Sequence, residues 1–181
     1  MNHCEQTKGM TILEHGHQVA EKYKQLIRGD IDGWKLPNWY DEIDILKTLL
    51  PNADVMELYH VFHDCGKIKC LKIDEDGKRH FPNHAIISAR EWLISGGSQE
   101  VADLIERDMD MHLLRPSQAI EYNRLDLVPA LLLTALSEIH ANAEMFGGID
   151  STSFKIKFKS LNRLGNAFIK LIKEKYHELH K

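Results

Sequence analysis

The chain has 181 residues, of which 43% are hydrophobic and 28% are charged. This length suits one domain with a sizeable core, and this composition excludes a disordered or fibrous protein. No apolar run approaches the roughly 18 residues of a membrane-spanning helix, and no basic-then-apolar signal segment opens the chain. We therefore expect a soluble single domain over residues 1–181, with no membrane partner.

The net charge of −4 is unevenly distributed along the chain. The basic C-terminal segment, residues 150–181, carries eight Lys or Arg side chains against three acidic ones, so the residues before it are strongly acidic. Such an asymmetry indicates either a surface that steers an anionic substrate or a solvated helix face. Both interpretations stay open from the sequence.

The three cysteines have the wrong number and spacing for a disulfide framework. Cys4, Cys65 and Cys70 are an odd set, which predicts reduced thiols and a cytoplasmic location. Cys65 lies inside the central motif described below, where we expect its thiol to pack rather than to bind a metal.

The first predicted helix runs from Thr11 to about Ile27. Thr11 and Glu14 have the spacing of a capping box, and Gly29 follows the last turn. His15 lies one turn before Val19 on the apolar stripe, so its side chain should point inward. An inward histidine is either a core residue or a metal ligand.

The central motif is the run His63-Asp64-Cys65-Gly66-Lys67, at the end of a helix predicted over residues 53–65. A histidine beside a carboxylate offers the nitrogen and oxygen ligands that zinc, iron and manganese accept. Gly66 predicts the end of the helix, and Lys67 would then present its ammonium group to an anion. His60, one turn before Asp64, is either a partner that orients the carboxylate or a buried histidine without a role.

The next segment predicts a small β-hairpin and then a helix. The hairpin lies between Lys69 and Phe81, with its turn at Asp76 and Gly77. The helix should begin at His84, after an Asn83 cap, and end near residue 95. His84 in its first turn would point back toward the motif.

Two further long helices are predicted before the basic segment, with a short helix and loop over residues 117–125 between them. One is predicted from Ser98 to Leu113, where Asp108 and His112 are four residues apart, so the carboxylate would hold the imidazole in its binding tautomer. The other runs from Val128 to Phe146 and is the most apolar helix of the chain.

The basic segment opens with alternating Phe, Ile and Lys side chains. Phe154, Ile156 and Phe158 alternate with lysines, which fits an edge strand protected by charge or the start of a long helix. Lys155 and Lys157 are candidate contacts for a substrate phosphate.

In this order, the histidines and carboxylates resemble the HD superfamily of metal-dependent phosphohydrolases. That family shows a first histidine about four residues before Val-Ala, then His-Asp-x-Gly-Lys, two spaced histidines and a late carboxylate. The resemblance covers a metal-binding core of residues 10–146. It implies an all-α, HD-like helical bundle, here with one small β-hairpin, and the metal ligands His15, His63, Asp64, His84 and His112.

The sequence departs from the family pattern on the apolar helix, where the expected Asp is missing. Glu138 supplies a carboxylate and is favoured as its replacement, with His140 as the alternative. Another register places Ser137 at that position and leaves no carboxylate there.

The resemblance implies two divalent metal ions, drawn from Fe, Mn, Zn, Ni and Co, with Asp64 as the bridge. The expected activity is hydrolysis of nucleotides or of phosphate ends of nucleic acid by a metal-bound hydroxide. Asp64 and Lys67 would be the catalytic residues, and Lys67, Lys155 and Lys157 would contact the substrate.

Two other functions are compatible with the same residues. The ligand set also builds di-iron oxygenases of the HD fold, which would make the protein an oxidoreductase. The third hypothesis is a non-enzymatic metal-binding module that acts through its basic segment. The missing Asp supports this hypothesis.

Overall fold

A computed structural model describes residues 1, 4–7 and 9–179, although side chains 6–7 and 176–179 are not described. Helices dominate this part of the chain, which confirms the predicted all-α class. The helices are α1 Ile12–Arg28, α2 Ile43–Thr48, α3 Ala53–Phe62, α4 Lys67–Cys70, α5 His84–Ile94, α6 Gln99–Arg107, α7 Asp110–Leu113, α8 Val128–Ala141 and α9 Thr152–Leu179. Short 3₁₀ turns cover Asn38–Glu42, Pro116–Glu121 and Glu144–Phe146.

The chain divides into two units, each of which has its own packing. The first unit comprises Met1–Glu21 and Pro51–Met109, and the second comprises Lys22–Leu50 and Asp110–Lys181. In the first, α6 packs against both α3 and α5. Its buried side chains include Val101, Leu104 and Ile105, which share one face of α6.

Two antiparallel strand pairs belong to the first unit. Strands β3, Lys72–Ile73, and β4, Arg79–His80, form the predicted hairpin, and Gly77 takes a positive φ of 76° at its turn. Strands β1, Glu5–Thr7, and β2, Met10–Thr11, form a second pair where the sequence predicted only a loose lead-in.

Helix starts follow the predicted caps, with one exception. Thr11 Oγ1 accepts from the Glu14 N–H at 3.2 Å while Glu14 accepts from the Thr11 N–H at 2.7 Å, which is the predicted capping box. Ser98 accepts from the Val101 N–H. Asn83 makes no capping hydrogen bond, because it has a left-handed backbone with a φ of 56°.

The helix predicted from Ser98 to Leu113 is broken. Helix α6 ends at Arg107, and the four-residue α7 begins at Asp110. Asp108 accepts a hydrogen bond from the buried Tyr59 hydroxyl at 2.6 Å. A tertiary contact of this kind is invisible in the periodic pattern on which the prediction rested.

In the second unit, α8 forms the core and α9 covers it. Every residue from 128 to 137 is buried, as the apolar sequence predicted. The helix was predicted to reach Phe146 but ends at Ala141. A separate 3₁₀ turn over Glu144–Phe146 follows, and Gly147 after it has a left-handed backbone.

The basic segment is a helix from Thr152, so the edge-strand alternative is wrong. Phe154 and Phe158 are buried four residues apart, whereas Ile156 between them is 65% exposed. That is the periodicity of a helix, and Ser151 caps it by accepting from the Phe154 N–H.

Within the part of the chain that the structure describes, each helix is too short or too polar to cross a lipid bilayer.

A glycine on α9 makes room for a buried tryptophan of the same unit. A Cβ atom at Gly165 would come within 3.0 Å of the Trp39 indole, which is only 1% exposed. We expect Gly165→Ala to lower the free energy of unfolding by roughly 1–3 kcal/mol, because the rigid ring must shift. Chemical denaturation measures this, with Asn166→Ala on the exposed face of α9 as the matched control. Equal stability of both variants would contradict the prediction.

Candidate metal centre

His63 and Asp64 lie in a turn between two helices of the first unit. Helix α3 ends at Phe62, three residues earlier than predicted, and α4 begins at Lys67. The His63 N–H still donates to the Tyr59 carbonyl at 2.8 Å, and the Asp64 carbonyl accepts from the Lys67 N–H. This tight turn directs both side chains into the interior, where each is 1% exposed.

Three imidazoles surround the Asp64 carboxylate. Oδ2 of Asp64 lies 3.3 Å from His63 Nε2 and 3.9 Å from His15 Nε2. Oδ1 lies 3.5 Å from His84 Nε2 and accepts no hydrogen bond from the described residues. The ligand nitrogens of His15 and His63 lie within 4.8 Å of each other. The structure thus brings together four predicted metal ligands within one unit.

Backbone carbonyls select the tautomer of two of these histidines. His63 Nδ1 lies 2.7 Å from the His60 carbonyl, and His84 Nδ1 lies 3.0 Å from the Phe81 carbonyl. A carbonyl only accepts, so each Nδ1 carries the proton. In the neutral ring Nε2 then presents a lone pair toward Asp64, which is the form that binds metals.

The spacing of these atoms suits a divalent cation. Ligands about 2.0–2.2 Å from a zinc-like ion are roughly 3.0–3.5 Å apart from one another. The separations of Asp64 from His63 and His84 fall in or at the edge of that range. Imidazole nitrogens combined with a carboxylate are ligands for zinc, iron, manganese and related metals. This group could therefore hold a metal ion.

Lys67 forms an ion pair with Asp64 within the same group. Its ammonium nitrogen lies 2.6 Å from Asp64 Oδ2 and 5.4 Å from the centre of the Phe81 ring. Burial alone would raise the pKa of Asp64, but the positive charges of His63 and Lys67 outweigh it and hold that pKa far below its usual range. The carboxylate is therefore ionised at neutral pH.

Two glycines permit the close backbone contacts around this group. A Cβ atom at Gly16, beside His15, would lie 2.5 Å from the Val61 carbonyl oxygen. A Cβ atom at Gly66 would lie well inside 3.0 Å of the Ser88 backbone nitrogen. The Gly66 N–H also donates to Ser88 Oγ at 2.9 Å. Gly66 has an ordinary negative φ, so its role is close packing on α5 rather than termination of a helix.

The predicted ligands His112 and Glu138 lie in the second unit, where they contact each other. His112 Nε2 is 2.9 Å from Glu138 Oε2, and both side chains are 17% exposed. Asp110 accepts from the Tyr122 hydroxyl at 2.6 Å. His112 and Glu138 therefore contact each other within the second unit, and four other predicted ligands lie together within the first.

His140, the alternative to Glu138, has a different environment in the second unit. Its ring stacks on Trp34 with 4.2 Å between centroids and meets Phe154 edge-on. Its Nε2–H donates to the Lys35 carbonyl at 3.1 Å. Burial lowers the pKa of His140 to about 4, so the ring is neutral and acts as a packed core side chain.

The predicted substrate lysines are on the first turns of α9. Lys155 lies 3.6 Å from Asp150, and the ammonium group of Lys157 lies 5.3 Å from the centre of the Phe146 ring. Both side chains are largely exposed to solvent.

Sequence reasoning missed the close-packing residues Gly16 and Ser88. Gly16 had a usable signal, because a glycine inside an amphipathic helix costs stability and so suggests a close contact. Ser88 had none, because a serine inside a helix has no distinctive pattern.

No known protein family, curated protein or solved structure matches this chain.

Enlarging Gly66 should disturb the metal centre. We expect Gly66→Ala to lower the free energy of unfolding by roughly 1–3 kcal/mol, because the added methyl group meets the rigid backbone of α5. Metal affinity should also fall, because His84 on α5 would move away from Asp64. Denaturation of metal-free protein and metal titration measure the two effects.

Ser88→Ala is the matched control for that variant, because it removes the hydrogen bond to Gly66 without adding volume. The expectation would be wrong if Gly66→Ala had wild-type stability and metal affinity.

Protonation of His140 should destabilise the fold in mild acid. Between pH 6.5 and about 4 the unfolded chain binds a proton that the folded ring does not, so the free energy of unfolding falls as the pH is lowered through this window. We expect a contribution on the order of 1–2 kcal/mol, which His140→Gln should abolish. Denaturation curves from pH 7 to 4 test this, with exposed His17→Gln as the control. A wild-type pH profile in the His140 variant would refute it.

Proposed function

We propose that this protein is a divalent-metal-dependent phosphohydrolase of the HD type, acting on nucleotides or on phosphate ends of nucleic acid. The observation that carries the proposal is the group formed by His15, His63, Asp64 and His84, with Lys67 beside it. The residues are those that the HD resemblance assigns, in the same order along the chain.

The chemistry of the group favours a bound cation over a purely structural role. Where His63 and His84 are neutral, their Nε2 lone pairs face the oxygens of Asp64, and only a positive charge relieves this repulsion. A divalent cation supplies that charge in place of a proton on His63, because all of these atoms then act as ligands. Lys67 offsets only part of the buried charge, since its ammonium group lies on one oxygen.

A divalent cation held there would polarise a phosphoryl group and lower the pKa of a coordinated water. The protein itself positions the substrate and balances charge. Asp64 holds the ligands together, and Lys67 supplies an ammonium group that can stabilise the charge that accumulates on a phosphoryl oxygen during hydrolysis. The proposal also includes a second metal ion, with His112 and Glu138 as further metal ligands. It places the protein in the cytoplasm.

Removing the central carboxylate should abolish both metal binding and hydrolysis. We expect Asp64→Asn to lose bound metal and at least about 100-fold in kcat for hydrolysis of nucleoside phosphates, because the anionic ligand is lost. Elemental analysis and phosphate release measure these effects, and circular dichroism shows whether the variant folds. His84→Gln, at a half-buried position, is a second variant for the same measurements.

Each alternative has its own outcome in this experiment. Bound iron with oxygen consumption and no ester hydrolysis would identify an oxygenase. Absence of metal from the folded wild-type protein would identify a non-enzymatic module. Full activity of the Asp64 variant would refute the proposal.

Loss of the Lys67 ammonium group should lower kcat without changing the amount of bound metal. Lys67→Met should lower kcat by roughly 100- to 1,000-fold while the protein keeps its metal, because a donor to the phosphoryl oxygens is lost. Lys69→Met is the matched control, since Lys69 is exposed and pairs with Glu91. Equal kcat values for the two variants would remove Lys67 from the proposed mechanism.

A further inference from the structure

A cleft of about 630 Å³ lies in the first unit, where the β3–β4 hairpin leads into α5. Its lining residues are Lys72, Ile73, Asp74, His80, Phe81 and Pro82. None of these residues is a predicted metal ligand, and the proposed chemistry does not use them.

The cleft combines apolar surface with hydrogen-bonding groups. Ile73, Phe81 and Pro82 form its apolar part, and Ile73 is 64% exposed. Asp74 and His80 form its polar part, with 2.7 Å between Asp74 Oδ2 and His80 Nε2. A flat, partly polar ring system is the ligand that such a surface accommodates, because rings stack on aromatic and apolar side chains while their edges form hydrogen bonds.

Phe81 connects the cleft to the metal centre. Phe81 lines the cleft, and its ring centre lies 5.4 Å from the ammonium nitrogen of Lys67, which in turn is 2.6 Å from Asp64. These two distances limit the separation of the ring centre from Asp64 Oδ2 to about 8 Å. The Phe81 carbonyl also accepts from His84 Nδ1. A base stacked on that ring would be one van der Waals contact farther from Asp64, and the sugar and phosphate of a nucleotide would bridge this distance.

We propose that this cleft binds the nucleoside part of a nucleoside monophosphate while its phosphate lies at Asp64 and Lys67. The inference rests on the proposed function, and it adds the site that recognises the base. The base contacts Phe81 and Ile73, and Lys72 at the rim attracts the anionic substrate. The cleft then determines a preference for nucleotides over simple sugar phosphates.

Substrate preference tests this assignment directly. Wild-type protein should have a higher kcat/KM for AMP than for ribose 5-phosphate, which lacks the base. In Ile73→Ser and Phe81→Leu, the ratio of these two kcat/KM values should fall at least about 10-fold, because the stacking surface is reduced. Ile94→Ser is the matched control, since Ile94 is 67% exposed on α5 but does not line the cleft. It should keep the wild-type ratio.

A binding measurement separates this inference from the proposed function. Adenosine, which has no phosphate, should bind metal-free wild-type protein in calorimetric or NMR titrations, and Ile73→Ser should weaken that binding at least about 5-fold. Adenosine binding without hydrolysis of any phosphate ester would overturn the proposed function and leave the cleft assignment standing. Hydrolysis with equal preference for AMP and ribose 5-phosphate would overturn the cleft assignment alone. Equal adenosine affinity of wild type and Ile73→Ser would also overturn it.

Discussion

The buried carboxylate of Asp64 is the constraint on which the first unit depends. Taking a carboxylate out of water costs several kcal/mol unless charges and donors nearby replace the lost hydration. Asp64 is 1% exposed, and the chain surrounds it with an ammonium group and three imidazoles. Packing of apolar side chains alone would not require this arrangement. A buried carboxylate with imidazoles around it is instead an arrangement that could hold a metal ion.

Close backbone packing makes this arrangement possible. His15 is on α1, which precedes the central turn in the chain, and His84 is on α5, which follows it. A glycine permits close backbone contact in each case, Gly16 beside His15 and Gly66 against α5. At both glycines the nearest atoms belong to backbone, which cannot rotate away as a side chain can. The glycine in the central motif therefore has a packing reason that the helix-stop interpretation overlooked. The absence of a side chain at Gly16 and Gly66 therefore allows the backbone approach that brings His15 and His84 near Asp64.

Local signals in the sequence predicted a large part of the fold. The capping box at Thr11 and the hairpin turn at Gly77 depend on neighbouring residues, and both are present. The predictions failed where tertiary contacts decide. Asp108 bonds to Tyr59, 49 residues away, where α6 ends early. The alternating lysines at the start of α9 allowed a strand, because a short period-two pattern also occurs on a helix whose buried positions are four apart.

The candidate metal ligands were predictable as residue types, but the backbone groups that orient two of them were not. The sequence pointed to side chains, His60 for Asp64 and Asp108 for His112, as orienting partners. The carbonyl oxygens of His60 and Phe81 were not predicted as partners, yet they hold His63 and His84. Every residue carries a carbonyl, so composition and spacing cannot identify the ones that serve this purpose. The last four carbonyls of a helix lack intrahelical partners, and that of His60 belongs to this set in α3. The early end of α3 at Phe62 therefore frees the acceptor that fixes the tautomer of His63.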